Sequence, residues 1–489
     1  MYTLKSMFKK VLPIILLLIL GWFLKFPDLG YSEFQDDEKK ALIRNQPGGS
    51  NFEFFMKQRK GPIQFLVTSG VLFFTENPRD EISLRMPFTI LSYLSIVIFY
   101  LLLKEFIESE LVSFMGAVLF LSNGFIVGFG RIAQYQNLNI FFSLLSLLMF
   151  AKLRKATSRH VLLSALGSIF FSISLLSHWD AIFYLVPTIY FVIEFFRRTD
   201  IEYSLKKRLL ITNLAVLVLL ILPFLIPYVI STIKNSANLI YFDRRFGWNS
   251  LGFLRHKFIF DLYNPFLALY FILSLMMLSL FNFRRNLVFI LWFLLNFLAI
   301  KYLMDKPGTH IYNYVIPAIF VAALGISSIF AYKKVFYGIF FVPIFVSLAF
   351  LIWQSHILFI DHTREYPWQE KVVLNWKGIN LVAPKFTDGE ILTFGFPHFR
   401  NWKEINRVVS LDPEKCNYLT NEGKEISQIY MDDQFGISDD THCYYIIYID
   451  RPFNIRGTGE IFGQTVGKDS VYTFKNNGKK LARVYKTFD

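Results

Sequence analysis

Cysteine is almost missing from this chain. Among 489 residues only Cys416 and Cys443 occur, and two thiols do not make a structural zinc motif. Both lie in the polar C-terminal part, where a disulfide is open to them if that part faces an oxidising compartment. Charge is scarce too. Only 18% of the residues are charged, and the middles of the long apolar runs are almost free of ionisable groups. A transporter would be expected to carry such groups, or broken helices, near mid-membrane. No serine nucleophile signature accompanies His178-Trp179-Asp180, so that triplet does not read as a hydrolase triad. No internal repeat or low-complexity segment is evident, and no small-residue cleavage site follows the first apolar run.

What is abundant is apolar surface: 54% of the residues are hydrophobic and 18% aromatic. A soluble protein of this size would not need so many long apolar runs. Runs of about spanning length occur near 11–26, 86–103, 111–129, 137–151, 161–177, 181–196, 209–231, 262–281, 287–303, 313–331 and 336–356, about eleven in all. The first follows Lys5, Lys9 and Lys10 and is expected to stay as a signal-anchor. Segment 62–75 is apolar but short, and is expected to lie as a helix in the membrane interface.

The formal charge of +14 invites a nucleic-acid reading, which its distribution rejects. Residues 357–489 hold 17 basic and 18 acidic side chains, a net of 17 − 18 = −1. The excess therefore lies in the membrane part. There, short loops bearing Lys104, Lys152 to Arg159, Arg197 to Arg208, Arg284-Arg285 and Lys333-Lys334 orient the spans by the positive-inside rule. The expectation is a multi-pass protein of the cell membrane with a cytoplasmic N-terminus. Residues 1–356 form the membrane domain, with a long outer loop at 27–85. Residues 357–489 form a soluble extracytoplasmic mixed α/β domain, with strands at 391–394, 444–448 and 471–474 and a helix at 401–409. Trp368, Trp376 and Trp402 in it suit a core or a sugar-stacking face.

The chemistry-bearing residues gather on one side of this topology. Glu33, Asp36, Asp37 and Glu38 put four carboxylates into six positions just past the first span. Ionised groups are costly in lipid, so they are expected in water at the membrane surface, with Glu33, Lys39 and Lys40 simply solvated. Lys60 lies farther along the loop, and Arg85 opens the second span. Arg131, Gln134, Gln136 and Asn137 follow the third span, His178 and Asp180 follow the fifth, and His310, Tyr312 and Asn313 precede the tenth. Arg244, Arg245, Arg255, His256 and Lys257 make the 232–260 loop basic.

At these residues the chain resembles the GT-C superfamily of membrane glycosyltransferases, in its protein mannosyltransferase and aminoarabinose transferase branch. Asp37-Glu38 matches the Asp-Glu pair of the family's first loop. Lys60-Gly61-Pro62 loosely matches a Lys-Pro-Pro element, and Arg85-Met86-Pro87 matches an Arg-x-Pro element. Gly130-Arg131-Ile132-Ala133-Gln134-Tyr135-Gln136-Asn137 keeps the family's Arg, with amides where a second acid often lies. The ordered likeness covers about residues 1–330. It implies transfer of a sugar from a polyprenyl-phosphate donor to a hydroxyl of a protein, glycolipid or envelope polymer on the outer side, with inversion.

That chemistry fits the residue types. A carboxylate in reach of a weakly nucleophilic hydroxyl can take its proton as attack proceeds. Asp37 is the candidate base, with Glu38 and Asp36 positioning the reactants. The departing phosphate needs cations, for which Lys60, Arg85, Arg131, Arg244, Arg245, Arg255 and Lys257 are candidates. Gln134, Gln136, Asn137, His178, Asp180, His310 and Tyr312 are candidates for binding substrate. No cofactor is required; a divalent cation on Asp36 and Asp37 stays open. The rival readings are a flippase for lipid-linked sugars and a non-enzymatic scaffold.

Overall fold

The structure is a computed structural model. It describes residues 2–35, 38, 54–55, 61–75, 77, 79–234, 240, 265–304, 308–332, 334–363, 371–383, 395–437, 443–452, 458–476 and 478–488. Where described, the eleven apolar runs are helical. The first helices are α1 (Tyr2–Lys25), α2 (Ile63–Thr75), α3 (Glu81–Lys104), α4 (Glu110–Leu121) and α5 (Gly124–Phe129). Then come α6 (Tyr135–Lys155), α7 (His160–Ser177), a 3-10 turn at Trp179–Tyr184, α8 (Leu185–Phe196) and α9 (Tyr203–Lys234). The last four are α10 (Pro265–Leu278), α11 (Phe283–Leu303), α12 (Tyr312–Tyr332) and α13 (Lys334–Phe359). Among the described residues eight helical stretches are long and apolar enough to cross a membrane, with three shorter apolar helices beside them.

Burial sorts these helices. The apolar window of α12 is 94% buried and that of α9 only 6%, so α12 is the centre of the bundle and α9 its rim. Lipid is as apolar as leucine, so helices in a membrane associate by close packing rather than hydrophobic drive. Ala318, Ala322 and Ala323 of α12 are buried and let neighbouring backbones approach. Phe99, Phe120, Phe289 and Phe320 interlock around it, each such ring pair contributing about 1 kcal/mol beyond its area.

The run at 111–129 is broken. Ser122 ends α4, and the Asn123 side chain accepts from Phe125 N to start α5. A broken turn at membrane depth needs partners for its freed backbone groups. Ser355 Oγ of α13 supplies one, donating to the Ser122 carbonyl at 2.6 Å. The short segment expected at the interface is the 13-residue α2, whose Phe73 and Phe74 rings are largely exposed.

Past α13 the chain forms a hairpin, β1 (Lys371–Trp376) with β2 (Ile379–Ala383), turned at Lys377 and Gly378, both of positive φ. After it come α14 (Trp402–Ser410), β3 (Asn417–Thr420), α15 (Lys424–Tyr430), β4 (Cys443–Ile449), α16 (Thr458–Thr465), β5 (Tyr472–Asn476) and β6 (Lys479–Phe488). The sheet order is β3-β4-β6-β5, with β3 parallel to β4 and the other pairs antiparallel. Helix α14 has a strongly two-sided sequence and buries Trp402, Ile405 and Val409. Trp402 is therefore core, not a sugar-stacking surface. Cys416 and Cys443 are disulfide-bonded. The strand expected at 391–394, and Trp368, lie outside the described residues.

Candidate active site

Arg85 is the centre of the polar network at one end of the bundle. It sits in the second turn of α3, whose start is fixed by Asp80 accepting from Ser83 N at 3.3 Å. Its guanidinium is 2% exposed and grips the fully buried Glu38 carboxylate in bidentate fashion, Nε to Oε1 and Nη2 to Oε2, both 2.9 Å. The remaining donors go to backbone carbonyls: Leu29 and Ser32 at 2.8 Å each and Glu33 at 3.1 Å. A guanidinium has five N–H donors, and these contacts engage them all. Glu38 is equally engaged, its oxygens also accepting from Ala133 N at 2.7 Å and Gln35 N at 2.8 Å. Four donors fill a carboxylate's lone-pair sites.

This changes two of the sequence-based assignments. Glu38 and Glu33 are buried, not solvated at the membrane surface, because each is neutralised by a buried arginine. Arg85 is committed to holding the first loop, which leaves it no donor for a phosphate.

Arg131 is different. It follows α5, is 6% exposed, and gives two long bonds, to the Lys25 carbonyl at 3.2 Å and the Asp28 carbonyl at 3.3 Å. Among the described residues no carboxylate lies within ion-pair distance of it. Burial, with the neighbouring Arg85, holds its pKa down at about 9 against the opposing pull of Asp28; it remains a cation at neutral pH. Lys25 is a second buried basic side chain here, its Nζ bonded to Ser92 Oγ at 2.8 Å and the Ile126 carbonyl at 2.6 Å. Gly130 is what makes room: a Cβ there would stand 2.4 Å from Lys25 Nζ. Arg85 and Arg131 line one pocket together with Gln35, Gly395, Phe396 and Pro397.

The amides after Arg131 are largely architectural. Asn137 donates to the Phe129 and Ile132 carbonyls at 2.6 and 3.0 Å, closing the turn that carries Arg131. Gln134 is buried at the N-cap of α6. Gln136 reaches Thr309 Oγ1 at 3.3 Å, while its buried Oε1 has no partner among the described residues.

His178, Asp180 and His310 form a separate buried cluster. His310 Nδ1 stands 2.9 and 2.8 Å from the two Asp180 oxygens, and His178 Nδ1 is 3.0 Å from Oδ1. Tyr135 stacks on His178 at 4.0 Å, and Tyr312 donates to Asn139 Oδ1 at 3.2 Å. Two imidazoles and a carboxylate whose ligand atoms lie within 4.8 Å of one another could hold a divalent ion. The same geometry is a hydrogen-bonded neutralisation of a buried acid. Glu414, Cys416 and Cys443 also cluster, but a disulfide offers no thiolate.

No protein-family model matches this chain, and no curated protein does. Solved structures do. ArnT from Cupriavidus metallidurans, bound to undecaprenyl phosphate and in the apo state, is similar over 97% of this chain and 97% of its own, at TM-score 0.54 and 11% and 12% identity. The fold is GT-C-like. At that identity the likeness is one of fold. A chain of the S. cerevisiae protein O-mannosyltransferase Pmt1-Pmt2 complex bound to the sugar donor overlaps less, with 15% identity, a TM-score of 0.37, and 47% of this chain against 34% of that one.

Within the GT-C-like frame, Asp36, Asp37, Lys60, Arg244, Arg245, Arg255 and Lys257 lie outside the described residues. Asp36 and Asp37 are flanked by Gln35, a pocket wall, and by Glu38, locked to Arg85. Sequence reasoning missed Lys25, Gln35 and the 395–400 stretch. Lys25 carried a signal: a lysine closing an apolar run. Gln35 and the 395–400 stretch carried none, because their roles come from contacts across more than 300 positions.

Proposed function

We propose that this protein is a membrane glycosyltransferase that moves a sugar from a polyprenyl-phosphate donor to an acceptor hydroxyl, with inversion and with Asp37 as general base. The observation that carries the reading is Arg131: a buried guanidinium, facing a pocket, with no carboxylate beside it among the described residues. A buried cation held by two long carbonyl bonds and only the pull of Asp28 is costly, and the cost is repaid when an anion enters. The GT-C-like fold supports a lipid phosphate as that anion, since undecaprenyl phosphate occupies the C. metallidurans ArnT structure.

In the proposed step, the Asp37 carboxylate takes the acceptor hydroxyl proton. The hydroxyl oxygen forms a bond to the anomeric carbon while the carbon–oxygen bond to phosphate breaks. The electron pair leaves on the polyprenyl phosphate, where Arg131 meets the added charge. Glu38 and Arg85 act by fixing the loop. Gln136 and the His178–Asp180–His310 cluster are assigned to the sugar or acceptor end. The division into a membrane domain, 1–356, and an extracytoplasmic domain, 357–489, belongs to this reading. The Cys416–Cys443 bond supports it, because disulfides persist in oxidising compartments.

The test is transfer from labelled polyprenyl-phosphate sugars by the full chain in nanodiscs. Asp37→Asn is expected to abolish transfer while leaving expression and thermal midpoint unchanged. Full activity in that variant removes the base. Movement of labelled lipid between leaflets with no glycosyl product from any donor in the panel replaces the transferase with a flippase.

A further inference from the structure

Residues 29–35 are neither helix nor strand, yet five of the seven, Leu29 and residues 32–35, are buried. Buried irregular backbone must find partners for its polar groups. On one side Arg85 takes three carbonyls, as described above. On the other side a set of partners comes from beyond residue 394. Gln35 Nε2 donates to the Phe396 carbonyl at 2.9 Å, and Gly395 N donates back to Gln35 Oε1 at 3.1 Å. Ser32 Oγ accepts from His398 N at 2.8 Å. The Glu33 carboxylate accepts from Arg400 N at 2.9 Å and Trp402 N at 3.1 Å. Arg400 Nη2 donates to the Phe34 carbonyl at 2.9 Å while its Nη1 pairs with Glu422 at 2.8 Å. Tyr430 Oη accepts from Phe34 N at 2.9 Å and donates to Glu81 at 2.7 Å.

The far strip is itself wedged against the bundle. Gly395 has φ +75°, and a Cβ there would lie 2.5 Å from the Gly128 carbonyl, one turn before Arg131. The Phe396 ring stacks on Phe359 at 4.9 Å. Gly395, Phe396 and Pro397 thereby stand between the first loop and the Arg131 turn, as a wall of the pocket.

We infer that residues 395–402 brace the acidic loop and complete the pocket, so that Gly395 and Arg400 are positioning residues for transfer. The C-terminal region is then part of the reaction centre's scaffold, not a detachable acceptor-binding module. This rests on the proposed reaction for its consequence in turnover, and on the contacts alone for its structural half. Asp36 and Asp37 follow directly on the braced Gln35, so loosening the strip displaces the base. A misplacement of about 1 Å costs on the order of 100-fold in rate.

The experiment compares the full chain with Gly395→Ala, Arg400→Gln and Gln35→Ala, and with Arg407→Ala on the exposed face of α14 as control. Hydrogen exchange is followed over peptides covering residues 29–40, alongside turnover and donor KM. The expected result is exchange in 29–40 faster by at least about 10-fold with the spans still protected, and turnover down by about 10-fold or more with donor KM changed less than about threefold. Arg407→Ala should match the parent chain. Unchanged exchange in Gly395→Ala and Gln35→Ala overturns the brace. Faster exchange with parental turnover overturns the positioning role. If Arg400→Gln does not fold, Gln35→Ala, which removes two bonds and no charge, decides. A parent chain that transfers no sugar defeats the reaction, and the exchange data still judge the brace.

Discussion

Arg85 and Glu38 form a closed pair: a guanidinium at the start of one membrane helix and a carboxylate 47 positions earlier, each with every hydrogen-bonding site engaged. Such a pair is a joint rather than a reagent. Breaking a buried pair strands a charge, at about 3–5 kcal/mol. Glu38→Gln and Arg85→Met should therefore lower the thermal midpoint sharply, measured by fluorescence in detergent. Arg85→Lys should not rescue, since an ammonium cannot span two carboxylate oxygens and three carbonyls.

Arg131 should behave in the opposite way. Among the described residues it has no carboxylate within ion-pair distance to strand, so Arg131→Met should leave the thermal midpoint unchanged or slightly raised. Transfer should fall by about 100- to 1,000-fold, the usual effect of removing one group that stabilises developing charge. A loss of stability matching that of Glu38→Gln would place Arg131 among the joints instead.

His398 makes stability depend on pH. Burial, followed by the nearby Arg400, holds its pKa down at about 3, while its Nε2 lies 2.9 Å from the Arg451 carbonyl. The unfolded chain takes up a proton near pH 6.5, and the folded chain does so only near 3. Stability is therefore full above about pH 6.5 and declines as pH falls from there towards 3, by about 1.4 kcal/mol per unit at most. Thermal midpoints scanned from pH 7.5 to 4 should show this slope, and His398→Gln should flatten it.

The disulfide closes a loop with a sequence separation of 27. By the chain-entropy account, that contributes about 3–4 kcal/mol. Alkylation of the denatured protein should label neither cysteine before reduction and both after it. Cys416→Ser should lower the unfolding midpoint of the C-terminal sheet, read by tryptophan fluorescence. Labelling before reduction would contradict the bond.

The helices were legible because membrane burial writes its signal locally, as length and hydropathy. Arg85 and Arg131 were legible for a related reason: a charge at the edge of an apolar run stands out. Their roles were not. Whether a guanidinium is saturated or open depends on Leu29, Ser32, Glu33 and Glu38 arriving from elsewhere in the chain, and nothing in the residue itself records that. Glu33 misled most. An acid in a polar loop ordinarily stays in water, and its partner Arg400 lies 367 positions away. The break at Asn123 was hidden for another reason, since a capped kink inside an apolar run leaves mean hydropathy unchanged.

That kink has a mechanical consequence. The Ser122 carbonyl, released where α4 stops, is held by Ser355 of the final membrane helix, a few residues before that helix ends at Phe359 beside Phe396. One helix therefore touches both the turn that leads into α5 and the strip that packs against residues 29–35. If the proposed reaction holds, tilting that helix by a few degrees would disturb the Arg131 turn and the strip against residues 29–35 together, and thicker or thinner lipid is one way to tilt it.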